Sequence, residues 1–167
     1  MESQTMQESS VAGDMEKIEG KYLTFFLANE EYGLEILKVR EIISVMEITS
    51  VPQTPDFIKG VINLRGKVIP VVDLRLKFGM SEKEYTKETC TIVVDVQGLL
   101  MGIVVDTVSE VLDISKSDIE PPPSFGSTIK TDFILGMGKV KGEIKILLSI
   151  GKILSAEEFA TIEKAAA

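Results

Sequence analysis

The sequence predicts a mainly β protein built as two similar small barrels packed into one unit, with short helical segments and a C-terminal helix. Three observations lead there: apolar residues alternate with period two from Tyr22 onward, turn signals interrupt the apolar runs, and one β-rich unit occurs twice. In the repeat, Phe57-Ile58-Lys59-Gly60 and Arg65-Gly66-Lys67-Val68 return at one constant offset as Phe133-Ile134-Leu135-Gly136 and Lys141-Gly142-Glu143-Ile144. Upstream, a shorter offset carries Gly33, Val39, Glu41 and Ile42 onto Gly102, Val108, Glu110 and Val111, the difference falling in a proline-rich loop. A unit this small cannot bury a full core alone, so the two copies are expected to pack against each other.

Along the chain, residues 1–20 are polar and Ser/Glu/Gln-rich and read as a flexible tail. Residues 22–28 read as a strand, 29–31 as a turn and 32–36 as the returning strand. Residues 37–44, apolar at Leu37, Val39, Ile42 and Ile43, fit either a short helical segment or another strand. Pro52 and Pro55 break the pattern, and residues 56–59 suit one helical turn. Residues 61–76 read as a hairpin turning at Arg65-Gly66-Lys67, and residues 91–96 and 101–112 as a second hairpin around Gly98. Pro121-Pro122-Pro123, followed by Ser124, Gly126 and Ser127, reads as a surface loop. Residues 134–154 form a last strand pair, and Ser155-Ala156-Glu157-Glu158 has the spacing of a capping box that starts a helix over 156–165. The organisation expected is a tail at 1–20, one domain at 21–154 with copies at about 22–78 and 91–154, and a C-terminal helix and tail at 155–167.

The composition narrows the function. Of 167 residues, 44% are apolar and 26% charged, ordinary values for a globular chain. Acidic residues outnumber basic ones 26 to 18, and the net charge of −8 repels polyphosphate backbones and anionic bilayers. Nucleic acid and membrane surface are therefore not expected as main partners. Apolar runs such as Ile103-Val104-Val105 fall far short of the about 18 residues a spanning helix needs, so no membrane insertion is expected. Glu2, Glu8, Asp14 and Glu16 leave no apolar stretch near the N-terminus for a secretory signal, which points to the cytoplasm. Cys90 is the single cysteine, so no internal disulfide forms, and its place at the start of an apolar strand pattern suits a buried, inert thiol. With no histidine, the Ser-His-Asp triad, the Cys-His pair, the usual zinc sets and a phosphorylatable histidine are all absent.

What remains for chemistry is carboxylates and glycines. Asp73, Asp95 and Asp106 each follow an apolar pair, and an acid/base dyad would need two of them to converge on one cleft. Asp106-Thr107 matches the start of an Asp-Thr-Gly motif, but Val108 stands where that motif needs glycine. These aspartates are instead expected to end strands and accept backbone donors in turns. Gly136-Met137-Gly138 with Gly142 lies between strands, with no following helix to present its N-terminus to phosphate. The carboxylates are too dispersed for an EF-hand loop. No catalytic residue, cofactor or metal is expected.

Read together, Glu31-Tyr32-Gly33, Val39-Arg40-Glu41-Ile42, the run from Pro52 through Gly60, Asn63-Leu64-Arg65-Gly66 and Pro70-Val71-Val72-Asp73-Leu74 resemble the CheW family across residues 21–154. Phe57-Ile58-x-Gly60-x-x-Asn63-Leu64-Arg65-Gly66 with the Pro-Val-Val-Asp-Leu run is highly specific, as is Gly102-Ile103-Val104-Val105-Asp106-x-Val108. The resemblance implies two five-stranded SH3-like barrels and a non-catalytic adaptor of bacterial chemotaxis. Such an adaptor couples chemoreceptors (methyl-accepting chemotaxis proteins) to the histidine kinase CheA. It binds the cytoplasmic tip of a chemoreceptor on one side and the regulatory domain of CheA on the other, and reaches membrane receptor arrays through these partners. Neither the receiver of CheV proteins nor the ATP-binding domain of CheA is present in the pattern.

By the same resemblance, Glu41 and Arg65, charged residues inside apolar patterns, form a charge pair near the receptor and kinase contacts. Ile36, Val39 and Ile43 are candidates for a receptor-facing groove or for plain core, both left open. Phe125, after three prolines, is the candidate aromatic anchor of the second copy. Gly60 and Gly66 are expected as turn residues. Glu120 occupies a place that is basic in some relatives, so no salt bridge is carried over to it. Two other readings compete: an SH3-like protein-binding scaffold of another signalling system, and a carboxylate-based hydrolase, which requires two aspartates facing one cleft.

Overall fold

Four two-residue turns set the architecture. Ala28-Asn29, Arg65-Gly66, Gln97-Gly98 and Lys141-Gly142 all have positive φ at both positions, from 49 to 85°. That is the type I′ geometry whose twist matches the right-handed twist of paired strands. Each joins a hairpin: β1 (Gly20–Leu27) with β2 (Glu30–Glu35), β4 (Ile58–Leu64) with β5 (Lys67–Asp73), β6 (Cys90–Val96) with β7 (Leu99–Val105), and β10 (Ile134–Val140) with β11 (Glu143–Leu148). Single strands β3 (Val39–Ser44), β8 (Thr107–Ile114) and β9 (Ile119–Glu120) complete the sheets, with one helical turn, α1 (Leu74–Lys77). Short 3-10 turns stand at Ile36–Lys38, Lys116–Asp118 and Ile150–Lys152. The structure is a computed structural model that describes residues 20–123, 132–155, 157, 158, 160 and 161. The tail expected before Gly20 lies outside the described residues.

The strands form two sheets, A in the order β8-β1-β2-β11-β10-β9 and B in the order β3-β6-β7-β5-β4. Each sheet draws on both copies of the repeat. Hairpin β1–β2 from the first copy sits between strands of the second, and hairpin β6–β7 from the second sits between strands of the first. The exchanged hairpins are held on one side by the parallel seams β2–β11 and β5–β7 and on the other by the antiparallel pairs β1–β8 and β3–β6.

The repeat is reproduced in detail. β4 and β10 carry a register shift at the same place, between Ile58 and Gly60 and between Ile134 and Gly136. The Asp73 amide donates to the Phe57 carbonyl at 2.7 Å, and the Ser149 amide donates to the Phe133 carbonyl at 2.8 Å. Val71 pairs with Gly102 across one seam, and Leu147 with Gly33 across the other. The short β9 beside β10 has its counterpart in the isolated bridge between Thr49 and Val61 beside β4.

Three apolar clusters follow from this pairing. Ile62, Leu64, Ile69, Val71, Val93 and Val104 lie together on one face of sheet B. Tyr22, Ile114, Ile119 and Leu147 do so on sheet A. The largest cluster takes residues from both sheets, among them Phe25, Leu34, Val72, Ile92, Ile103 and Leu148, and is the core between them. A run of ring contacts crosses it, Phe25 to Tyr32 at 5.9 Å, Tyr32 to Phe78 at 6.0 Å and Phe78 to Phe133 at 5.1 Å.

Several local expectations change. Residues 56–59 are not a helical turn: the Ile58 amide donates to the Pro55 carbonyl at 3.0 Å, closing a turn, and β4 starts at Ile58 because β5 offers it a ladder. The hairpin expected over 61–76 stops at Asp73, whose carboxylate accepts from the Leu76 amide at 3.3 Å and caps α1. The run at 101–112 breaks at Asp106, where the chain leaves sheet B for sheet A. Gly60 is a bulge residue inside β4 rather than a turn residue, whereas Gly66 is in a turn as expected. Residues 37–44 contain both alternatives, the end of a 3-10 turn that starts at Ile36 and then β3. The capping box is present: the Glu158 amide donates to Ser155 Oγ at 3.1 Å and the Ser155 amide to Glu158 Oε1 at 2.7 Å. Glu157, Glu158, Ala160 and Thr161 are helical, and the remainder of the expected helix lies outside the described residues.

Candidate functional site

Glu41 and Arg65 meet on sheet B. Glu41 is on β3, the edge strand, just past the register shift between Val39 and Glu41. Arg65 is the first residue of the β4–β5 turn, with φ 51°. Its guanidinium donates through Nη2 to Oε1 and through Nη1 to Oε2, the second at 3.4 Å. The hydrogen bond to Glu41 and then its charge raise the Arg65 pKa above the ordinary value. With side chains 71% and 31% exposed, the pair adds little to stability, because water screens it. What it does is present a fixed pair of opposite charges. Beside it Arg40 Nη2 donates to Asp95 Oδ2 at 2.7 Å, and Lys67 and Leu100 complete the wall of a shallow groove of about 550 Å³.

The apolar candidates separate by depth. Ile36 and Val39 are half-buried against the core between the sheets, and Ile43 is half-buried against the sheet B cluster. The strongly exposed apolar side chains nearby are Leu37, 90% exposed in the 3-10 turn, and Ile42 and Val68 on sheet B. Leu37 precedes β3, Ile42 is on β3 and Val68 is on β5, so the three come from separate elements. Phe125 lies outside the described residues.

The aspartates act as the turn reading expects. Asp95 Oδ1 accepts from the Gly98 amide at 2.9 Å. Asp73 caps α1 and also accepts from the Tyr85 hydroxyl at 2.7 Å. Asp106 accepts from Arg75 Nε and Nη2, both at 2.6 Å, and from the Ala28 amide at 2.9 Å. Asp73 and Asp106 do line one cavity, but its volume is about 10 Å³, room for about one water. With both carboxylates committed to donors, no space is left for a substrate.

Burial alone pushes the Asp106 carboxyl up, yet Arg75, the Ala28 amide and the charges of Arg75 and Lys83 hold it below the usual 3.8. A depressed carboxylate contributes stability above its unfolded pKa and loses it as the pH falls through the folded value. Asp106→Asn is therefore expected to be less stable than the parent at neutral pH, the gap closing as urea melts are repeated below the usual aspartate range. A gap that does not change with pH would show that the carboxylate's charge is not what matters.

Sequence reasoning missed Lys145. It lies on β11 at 8% exposure and donates to Glu31 Oε1 on β2, at 10% exposure. A second groove of about 700 Å³ is lined by Tyr32, Phe78, Phe133 and Ile146, with Lys77 paired to Glu158 at 2.8 Å on its rim. Among the described residues no group of three or more His, Cys, Asp or Glu could hold a metal, and no helix is long and apolar enough to cross a membrane.

Comparison with known proteins agrees with this picture. The family model for the CheW-like domain matches residues 21–158. A chemotaxis protein CheW of Klebsiella aerogenes is 43% identical over 158 residues, covering 95% of this chain and 94% of its own. A chemotaxis protein CheW of Helicobacter pylori is 34% identical over 137 residues, covering 82% of each chain. Among solved structures, the scaffolding protein TtCheW from Thermoanaerobacter tengcongensis superposes with a TM-score of 0.76 at 39% identity, covering 84% of this chain and 95% of that one.

Proposed function

The chain belongs to the CheW-like domain family, with its two SH3-like barrels, and is a chemotaxis adaptor; from that premise we propose that it holds the regulatory domain of the histidine kinase CheA against the cytoplasmic tip of a chemoreceptor. The observation that carries the reading is the exposed Glu41–Arg65 pair. It offers a partner a preorganised charge pair and contributes little to folding, so its use is at a surface. An adaptor without catalytic machinery acts through surfaces alone, and joining two proteins at once requires two that do not overlap. One of these surfaces lies around Glu41 and Arg65 on sheet B, with Ile36, Val39 and Ile43 as the apolar candidates of the same stretch of chain. The second copy supplies the other, with Phe125 as its aromatic anchor. Through these contacts the chain works at membrane receptor arrays without entering the bilayer.

Charge reversal at Arg65 tests this. Arg65→Glu is expected to melt cooperatively at an unchanged midpoint, because the side chain is exposed, while weakening one partner about tenfold. Titration of Arg65→Glu and Phe125→Ala against a receptor fragment and against the CheA regulatory domain separates the surfaces. If both folded variants lose both partners equally, the two-surface reading is wrong.

A further inference from the structure

The chain passes between the sheets at two places that the repeat makes equivalent, and they are built differently. After β7 it crosses through Asp106, and after β2 through the 3-10 turn Ile36–Lys38. The offset that carries Gly33 onto Gly102 carries Leu37 onto Asp106 and Ala28 onto Gln97, and the downstream offset carries Arg75 onto Gly151. At the first crossing these residues form a clamp. Arg75, on α1 behind sheet B, holds Asp106 with two hydrogen bonds at 16% and 14% exposure, and donates to the Ser81 carbonyl at 3.2 Å. Asp106 in turn accepts from the Ala28 amide and donates its own amide to the Phe26 carbonyl at 3.1 Å, both on the β1–β2 hairpin of sheet A. At the second crossing the same places hold Leu37, exposed to 90%, Gln97 and Gly151, none of them charged.

We propose that the fold has one fixed and one compliant crossing: the Arg75–Asp106 clamp locks sheet A to sheet B after β7, and the turn at Leu37 is the hinge about which they adjust. The hinge runs directly into β3, which carries Glu41, and follows directly from β2, which lies inside sheet A. A contact at the Glu41–Arg65 face therefore displaces β2 through Leu37 while the far crossing stays in register. This last consequence rests on the reading of that face as a partner surface. The asymmetry itself does not, and the two are tested apart.

Gly151 has open space where a Cβ would go, so the clamp can be built at the second crossing as Leu37→Asp with Gly151→Arg. Amide hydrogen exchange on the free protein reads the result. In the parent, the Leu37 and Lys38 amides are expected to exchange faster than those of Ala28 and Asp106. In the double variant, residues 37 and 38 are expected to slow about tenfold or more. The converse variant, Arg75→Gln, is expected to speed exchange at Ala28 and Asp106 while the protein still melts cooperatively. Equal exchange at the two crossings of the parent, or no change at Ala28 and Asp106 in Arg75→Gln, overturns the proposal. Adding the CheA regulatory domain then addresses transmission: altered exchange along β2 in the parent but not in the doubly clamped variant supports it. Binding without any effect on β2 overturns the transmission and leaves the partner reading intact. Absence of binding overturns the partner reading and leaves the free-protein result standing.

Discussion

Lys145→Ile alone is expected to destabilise the protein by about 3–5 kcal/mol, whereas Glu31→Leu combined with Lys145→Ile is expected to leave it as stable as the parent or more so by about 1–4 kcal/mol. The reason lies in the repeat. Lys145 corresponds to Ile69 and Glu31 to Leu100, so sheet A holds an ion pair where sheet B holds two apolar side chains across the same parallel seam. Lys145 Nζ donates to Glu31 Oε1 and, at 3.1 Å, to Glu143 Oε2, while Glu31 Oε2 is buried with no hydrogen-bond partner. Removing the ammonium alone leaves a carboxylate desolvated and unpaired. Removing both groups replaces a costly desolvation with packing that sheet B already demonstrates. Urea unfolding of the parent, both single variants and the double variant completes a mutant cycle. A double variant as unstable as Lys145→Ile would show that the two seams are not interchangeable in packing.

Gly60→Ala is expected to cost about 4 kcal/mol or more, or to prevent folding, while Gly66→Ala costs about 1 kcal/mol. Both glycines have positive φ, 141° and 85°, so backbone preference alone does not separate them. Space does. A Cβ on Gly60 falls 2.0 Å from the Thr49 carbonyl oxygen, which is locked in a bridge by hydrogen bonds of 2.9 Å in both directions with Val61. A Cβ on Gly66 meets nothing within 4 Å. Thermal melts of the two variants read the difference, and similar midpoints would mean that the segment around Thr49 yields easily.

The parts of this protein legible in its sequence are those decided by neighbours along the chain. Arg65-Gly66 and Gln97-Gly98 mark hairpins because few dipeptides tolerate two successive positive φ values. Ser155 and Glu158 mark a helix start because their spacing lets each side chain reach the other's amide. The repeat from Phe57 onward revealed two copies of one unit, and the resemblance of its motifs revealed the family and placed Glu41 beside Arg65. Three features came only from tertiary pairing. The hairpins β1–β2 and β6–β7 are exchanged between the copies because the seams β2–β11 and β5–β7 join strands far apart in sequence, and alternation specifies which face a strand buries but not which partner it takes. The burial of Lys145 depends on β2 bringing Glu31 against it, a pairing between strands far apart in sequence. The difference between a clamped Asp106 and an exposed Leu37 depends on Arg75 arriving from another strand's end, a convergence of three separate segments that no local pattern encodes.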